Sequence, residues 1–171
     1  TMGITARVEA YDPVADTWRS LASLPMDVHH VNAAVVDGRI YVLGSLQSLS
    51  FNQLGEVWIY DPAADAWTSG TPMPSPRGGG ATGVIDGQIH VIGGLGAGGG
   101  VALHSVYDPD SDSWEQLPDA PTARDHLAAG VIDGVLYVAG GRDGSIAGHY
   151  DILESWDGSW QTLTPMPTPR G

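Results

Sequence analysis

A repeat of about 47 residues is the feature that most constrains the fold of this chain. The phrases VEAYDPVADTW, VWIYDPAADAW and SVYDPDSDSW begin at residues 8, 57 and 105, and a shorter copy, LESWDGSW, begins at residue 153. A second phrase keeps the same spacing, since AAVVDGRIYVLGS, TGVIDGQIHVIGG and AGVIDGVLYVAGG begin at residues 33, 82 and 129. A period of this length is too long for helical repeats and is typical of a four-stranded unit.

Both phrases predict β-hairpins. Each DG pair stands between β-branched runs and favours a type I′ turn, which needs positive φ at both central residues. This turn joins strand a to strand b, for example residues 81–85 to 88–93. In YDPxxDxW, Pro62 fixes φ while Asp61 and Asp65 can bond nearby backbone, so this phrase joins strand c to strand d. No segment predicts a helix.

These phrases resemble those of the kelch family of β-propellers over nearly the whole chain. The resemblance implies an all-β fold of radially arranged, four-stranded antiparallel blades, in which the repeated tryptophans would be substantially buried between blades. Departures from the family pattern are Gly44–Ser45 for a double glycine, Val28 for arginine, and Trp156 for tyrosine. The first two fall in one unit, which we expect to be irregular. The residues that carry the resemblance are Tyr11, Trp18, Tyr60, Trp67, Tyr107, Trp114, Trp160, Gly93, Gly94, Gly140 and Gly141, with Pro-Arg phrases at Arg77 and Arg170.

The order of the phrases predicts one domain, a partial propeller. Residues 6–21 would form a c–d hairpin, residues 31–69, 80–117 and 127–163 three whole blades, and residues 164–171 the approach to another strand a. Kelch propellers usually have about five to seven blades, so we expect that the chain does not close a ring alone. It is either a fragment of a longer protein or a half-ring completed by association. The second alternative predicts a head-to-tail homodimer joined near Val8–Leu21 and residues 156–170.

Composition limits the classes of function. The net charge is −13 and lysine is absent, which argues against a nucleic-acid-binding surface. No apolar run approaches the length that spans a membrane. The segment TMGITARVEAYDP lacks the charged and apolar regions of a signal peptide, so we expect none here, and the compartment stays open. Because there is no cysteine, disulfides and thiolate metal sites are excluded.

Loop variation and charge favour one face of the disc for binding. The a–b and c–d turns share one face, are nearly constant, and hold more than half of the acidic residues. The b–c and d–a connections share the other face, which we call the loop face, and they vary between copies as binding loops do. Basic side chains collect there, so we expect a locally positive mouth for carboxylates or acidic peptides. These side chains are Arg77, Arg124, Arg142, Arg170, His29, His30, His126 and His149.

Alignment on the DG pairs places His30, Gly79 and His126 at one repeat position near the channel mouth. In kelch domains that bind acidic peptides, residues here and on the b–c loops make the contacts, so the resemblance nominates both histidines. Solvent-facing loop histidines are the alternative, and a metal site is disfavoured because glycine supplies no ligand. The Pro-Arg arginines either bond loop carbonyls or bind ligand. The ligand-binding candidates are His30, Asn52, Arg77, Arg124, His126 and Arg142.

Two loop segments allow more than one interpretation. Phe51 lies beside Asn52 in a polar b–c loop. It either packs as a plug against a neighbouring blade or forms a platform for a ligand. The glycine-rich stretch 93–100 lacks the GK[ST] of a phosphate loop and no helix follows it, so we interpret it as a flexible loop.

For function, we expect a non-enzymatic binding or scaffolding module that needs no cofactor or metal, and a purely structural half-propeller is one alternative. The resemblance also admits an enzyme, because some bacterial kelch propellers isomerise sialic acids. That reaction would need an acid/base group in a closed channel, with an arginine holding the sugar carboxylate. A ligand in the mouth that contacts Arg124 and a titratable partner would distinguish this alternative from binding alone. A kelch-type copper oxidase is disfavoured because its Tyr–Cys crosslink needs cysteine.

Overall fold

The computed structural model describes residues 4–145 and 147–171, and all regular secondary structure in these ranges is β. Residues 1–3, part of the segment inspected for a signal peptide, and Ile146, part of the 142–150 loop, lie outside the described residues. Over the described ranges, no helix is long and apolar enough to cross a membrane. The prediction of an all-β fold is confirmed.

The first half of the chain forms an isolated hairpin and one four-stranded sheet, blade 1. The hairpin pairs Tyr11 with Trp18 across its two strands. Blade 1 is antiparallel in the order β3-β4-β5-β6. The strands are β1 Val8–Asp12, β2 Thr17–Leu21, β3 Ala33–Val36, β4 Arg39–Gln47, β5 Asn52–Asp61 and β6 Ala66–Gly70.

The second half of the chain forms two more antiparallel four-stranded sheets. Blade 2 has the order β7-β8-β11-β12, and a two-stranded loop hairpin, β9-β10, lies between its strands b and c. Blade 3 has the order β13-β14-β15-β16. The strands are β7 Ala81–Ile85, β8 Gln88–Ile92, β9 Leu95–Gly96, β10 Gly99–Gly100, β11 His104–Asp108, β12 Ser113–Leu117, β13 Ala128–Ile132, β14 Val135–Ala139, β15 Leu153–Trp156 and β16 Trp160–Thr162.

The a–b turns have the backbone conformation that the DG pairs predict. In blade 2, φ is 50° at Asp86 and 80° at Gly87, and the other two DG pairs are also positive at both residues. Positive φ at both central residues defines the type I′ turn, whose twist matches that of the flanking strands. The turn therefore fixes the register, with Ile85 paired to Gln88.

The apolar core lies between the blades. Leu43 and Val57 of blade 1 pack in one cluster with Ile89 and Tyr107 of blade 2. A second cluster joins blade 2 to blade 3 in the same way, and the innermost strands β3, β7 and β13 lie side by side. Full burial of such a side chain contributes about 1.5–3 kcal/mol, so stacking of blades supplies much of the stabilisation. The sheets form consecutive blades of a partial propeller.

A recurring pair of hydrogen bonds, which we call the inter-blade clasp, ties each c–d hairpin to the preceding unit. In blade 1, Asp65 accepts hydrogen bonds from the Tyr60 hydroxyl at 2.6 Å and from the Ala22 backbone N–H at 2.8 Å. Trp67 Nε1 donates to the Ala22 carbonyl oxygen at 2.8 Å. One aspartate and one tryptophan thus bind both backbone groups of the residue that follows strand d of the unit before.

Blade 2 repeats the clasp and blade 3 keeps half of it. Asp112 accepts from the Thr71 N–H at 2.6 Å, and Trp114 Nε1 donates to the Thr71 carbonyl at 2.8 Å. Trp160 Nε1 donates to the Pro118 carbonyl at 2.9 Å. Proline has no N–H to donate, and the shortened turn of blade 3 has no aspartate at the equivalent place. Donor and acceptor are therefore absent together.

The repeated tryptophans are less buried than the sequence predicts. Trp67, Trp114 and Trp160 are half-buried, with their indole N–H groups in the clasp. Trp18 is 69% exposed, so its predicted burial is wrong in this structure. No described residue docks against the hairpin as Ala22 docks against blade 1, and Trp18 keeps only its tilted contact with Tyr11, at 5.1 Å between ring centroids.

Blade 1 is the irregular unit that the two departures predict. The register between β4 and β5 shifts at Gly44, where φ is 76°. A Cβ atom at this position would clash with the Arg77 carbonyl oxygen, 2.5 Å away. Val28, in place of arginine, is buried in an apolar cluster with Val42 and Trp58. Val28 thus fills, by apolar packing, the position where the other blades hold an arginine.

Candidate functional site

The approaches to the three strands a meet on the loop face. His30, Gly79 and His126 hold the left-handed backbone conformation, with φ of 51°, 66° and 52°. The Gly79 N–H donates to the His30 carbonyl at 2.8 Å, and the His126 N–H donates to the Gly79 carbonyl at 2.7 Å. This relay of backbone bonds runs across all three blades. It brings equivalent positions of the repeat to one place.

The histidine rings meet above the glycine. The ring centroids of His30 and His126 are 4.8 Å apart, edge to face, and a Cβ atom at Gly79 would lie 3.7 Å from each ring. Burial lowers the pKa of His30, and the neighbouring rings of His126 and His29 lower it further. His30 is therefore a neutral imidazole at pH 7, available for hydrogen bonding rather than as a fixed charge.

Phe51 packs on this histidine cluster. Its ring meets His29 and His30 edge to face, at centroid distances of 5.3 and 5.9 Å. Phe51 is half-buried and lines the cleft beside these rings. It therefore lies against histidines of its own unit, where it walls the cleft, rather than plugging a neighbouring blade.

These groups enclose a cleft of about 460 Å³ on the loop face, which we call the loop-face cleft. It draws residues from three blades, so no single repeat contains it. Leu95 of the loop hairpin adds apolar surface to that of Phe51, and Arg142 and Ser145 add polar groups. The lining residues are His30, Phe51, Leu95, Asp125, His126, Arg142, Gly144 and Ser145.

Asp125 is the charged residue of the cleft that sequence reasoning missed. Its side chain is only 2% exposed, it contacts His126 Nδ1, and its Oδ1 lies 3.7 Å from Arg142 Nε. The sequence analysis selected its neighbours, Arg124 and His126, instead. Among the three equivalent segments, only Arg-Asp-His of blade 3 has a carboxylate at this position. The cleft therefore pairs one arginine with one aspartate, and the predicted positive mouth is largely neutralised.

Arg77 does not reach this cleft, so the ligand role is wrong and the structural alternative describes it. Its side chain is fully enclosed, and its guanidinium donates to the Gly93 and Val91 carbonyl oxygens and to the Ser105 hydroxyl, at 2.9, 3.1 and 3.0 Å. Burial lowers the pKa of Arg77 to about 10, so it stays charged at pH 7. These three hydrogen bonds join the approach to blade 2 with its strands b and c.

Arg124 is likewise structural rather than ligand-facing. It is 1% exposed, and its Nη2 lies 2.8 Å from Glu154 Oε2 and 3.3 Å from the Val138 carbonyl oxygen. Thr122 donates a hydrogen bond to the other carboxylate oxygen of Glu154. A buried arginine held by a carboxylate has no access to a ligand at the mouth.

Two further basic or polar candidates lie outside the cleft. Asn52 is exposed at the start of β5, opposite Gln47, and does not line the cleft. Arg170 is exposed, and its guanidinium bonds only the Thr168 carbonyl oxygen, at 3.4 Å. Of the six candidates, the structure brings together His30, His126 and Arg142. Across the described part of the chain, no group of three or more His, Asp or Glu side chains has metal-binding geometry.

Comparison with known proteins identifies the repeats. Residues 76–121 and 123–167 each match a family model described as the kelch motif, and together these matches span more than half of the chain. Kelch-like protein terF of Aspergillus terreus is 43% identical over 42 residues, which are 25% of this chain and 9% of that protein. Kelch-like protein 35 of Mus musculus is 38% identical over 42 residues, 25% of this chain and 7% of that protein. The chain thus matches only a small part of the length of these relatives.

The fold has a counterpart among solved structures. The structure of YjhT superposes with a TM-score of 0.79 and 17% sequence identity, over 97% of this chain and 67% of that one. The likeness is one of fold, and it agrees with the antiparallel blades described above. With two kelch motifs matched in the sequence and the blades that carry them in the structure, this chain belongs to the kelch-repeat family.

Proposed function

We propose that the chain is a non-enzymatic binding module whose loop-face cleft takes a protein segment with a carboxylate beside an aromatic or apolar side chain. Kelch repeats indicate a protein-binding or scaffolding module. The observation that carries the finer proposal is the joint presence of Phe51, Leu95 and Arg142 in one cleft. Apolar lining with a few placed polar groups is the usual character of a binding pocket.

The charges of the cleft favour a single carboxylate over a polyanion. Arg142 is partly exposed, and its two terminal nitrogens make no hydrogen bond to any described residue. A guanidinium binds a carboxylate through paired N–H groups. Because Asp125 already lies beside this arginine and His30 is neutral at pH 7, the cleft has little surplus positive charge. The apolar wall then supplies the rest of the affinity.

The arginine nominated for the sugar-isomerase alternative, Arg124, is enclosed and paired with Glu154, so it does not reach a sugar carboxylate at the mouth. The arginine that lines the cleft, Arg142, already lies beside the carboxylate of Asp125. Binding therefore remains the function that the cleft supports best.

The test is a peptide array in which acidic and aromatic residues are placed in every order on a glycine–serine background. We expect the chain to be retained by peptides that carry a carboxylate next to an aromatic ring, and Arg142→Gln to lose that retention. Arg39→Gln is the matched control, because Arg39 lies on the opposite face and also has a carboxylate, Asp61, at 3.7 Å.

Retention that needs the carboxylate of the peptide and Arg142, but not Arg39, supports the proposal. Retention that is unchanged in Arg142→Gln, or equal for peptides without a carboxylate, contradicts it.

A further inference from the structure

We propose that the chain binds a second copy of itself head to tail, with the 164–171 segment of one copy docked on the β1–β2 hairpin of the other. This inference is independent of the ligand cleft. It rests on two segments, the β1–β2 hairpin and residues 164–171, each of which has one side of a contact that is complete between the other blades.

The β1–β2 hairpin presents the acceptor half of the inter-blade clasp. The Tyr11 hydroxyl donates to Asp16 Oδ1 at 2.7 Å, as Tyr107 bonds Asp112 in blade 2. Trp18 stands beside them, 69% exposed. Among the described residues, no backbone N–H bonds Asp16 and no carbonyl oxygen bonds Trp18. The hairpin is therefore shaped to bind the residue that follows strand d of another blade.

The 164–171 segment presents the other half. Its sequence, TPMPTPRG, repeats TPMPSPRG at residues 71–78, in which Thr71 is the residue held by the clasp. The backbone is placed alike in both, since the Met73 N–H donates to Gly55 and the Met166 N–H donates to Asp151, each at 2.7 Å. Thr164 thus offers its N–H and carbonyl oxygen as Thr71 does, and no described aspartate or tryptophan binds them.

A second, independent match concerns charge. The approach to each blade packs a side chain against one position of strand c. Arg124 meets Glu154 at that position in blade 3, and Arg77 meets Ser105 at that position in blade 2. In blade 1, Val28 replaces the arginine and Trp58 stands at the strand c position. These two residues pack in one apolar cluster. The two positions are therefore complementary in every blade.

The same positions outside the three blades are Arg170 and Glu9. Arg170 is exposed, and Glu9 makes only a surface contact with Arg7 at 3.9 Å. Arg170 and Glu9 are therefore complementary in the same way as the pairs within the three blades. In blade 3, Arg124 binds a carboxylate, Glu154, at the position that Glu9 holds in the hairpin. The clasp and the ion pair would form together, because both lie between the same two elements.

A second copy is the occupant because each copy carries both halves. The contact is heterologous, and made twice it closes a two-fold ring of six blades and two hairpins. Closure would cover Trp18 and the outer face of blade 3, which are apolar surfaces that otherwise promote aggregation. A kelch unit of another chain would fit the same surface, and the test below distinguishes the two.

The experiment measures mass by sedimentation at micromolar concentration for the chain and for two charge reversals, Glu9→Arg and Arg170→Glu. We expect a mass of twice 17.9 kDa for the chain, and an association weakened at least about tenfold in each variant alone, because each variant leaves two like charges at both seams. An equimolar mixture of the two variants should associate again. One seam then pairs the two substituted side chains, which have opposite charges, and the other seam keeps the original pair. Glu115→Arg, on the exposed face of blade 2, is the matched control and should not change the mass.

Circular dichroism checks that each variant is folded, which is expected because both side chains are exposed. A folded chain that sediments at 17.9 kDa overturns the proposal, and the surface then belongs to a different kelch unit. A mixture of Glu9→Arg and Arg170→Glu that stays monomeric also overturns it.

Discussion

A buried histidine pair between blades 2 and 3 should make the stability of the protein fall in mild acid. His104 is fully enclosed, and its Nε2 lies 2.8 Å from Nδ1 of His90. Its ring meets Trp156 and Trp160 edge to face, at centroid distances of 4.8 and 5.2 Å. The hydrogen bond between the two rings needs one unprotonated nitrogen, and no carboxylate of the described residues hydrogen-bonds either ring.

The magnitude follows from the pKa of His104, which burial lowers to about 3, with smaller contributions from the charges of His90 and Arg77. In the unfolded chain a histidine has a pKa of about 6.5. Protons therefore bind the unfolded state preferentially between these two values. The stability contributed by the neutral ring is complete above about pH 6.5 and is lost progressively as the pH falls towards 3. At about pH 5 the loss is about 2 kcal/mol, from about 1.4 kcal/mol per pH unit.

The perturbation is His104→Leu, which places leucine where the third blade has Leu153. The quantity to measure is the difference in urea unfolding free energy between about pH 7 and about pH 5, so that other titrating groups cancel between variants. We expect this difference to be about 2 kcal/mol smaller in His104→Leu, and unchanged in the exposed control His149→Gln. If His104→Leu keeps the full pH dependence, the assignment of the acid sensitivity to this pair is refuted.

Two more predictions concern the contacts between blades. Trp67→Ala should lower the unfolding free energy by about 2 kcal/mol, because it removes packing and the bond to Ala22, whereas Trp18→Ala in the dissociated chain should change it by less than about 0.5 kcal/mol. Urea denaturation compares them, and equal losses would contradict the clasp. Glu154→Gln leaves Arg124 buried without a counter-charge and should cost about 3 kcal/mol. A midpoint of thermal unfolding close to that of the unsubstituted chain would contradict the buried pair.

The blades could be predicted because their determinants are local. The DG pairs set the a–b register through their own φ angles, and the YDPxxDxW phrase sets the c–d hairpin through neighbouring side chains. The exposure of Trp18 could not be predicted from its phrase, which matches those of Trp67 and Trp114. What differs is the unit packed against each tryptophan, and that is set by tertiary arrangement.

The candidate site was only partly predictable for the same reason. Alignment of the repeats brings His30 and His126 together because equivalent positions meet near the axis. The alignment gives no direction for the side chain of Arg77, which turns into blade 2 rather than towards solvent. Leu95 and Asp125 enter the cleft from different blades, so no pattern within one repeat identifies them.

The most direct test of the binding site is an NMR titration that follows the imidazole signals of the histidines. The probe is an acetylated Glu–Phe dipeptide amide, which carries a carboxylate beside an aromatic ring. We predict that the signals of His30 and His126 shift on addition of the probe, that those of His90 and His104 do not, and that Arg142→Gln abolishes the shifts. Shifts confined to other histidines, or unchanged shifts in Arg142→Gln, would contradict binding in the loop-face cleft.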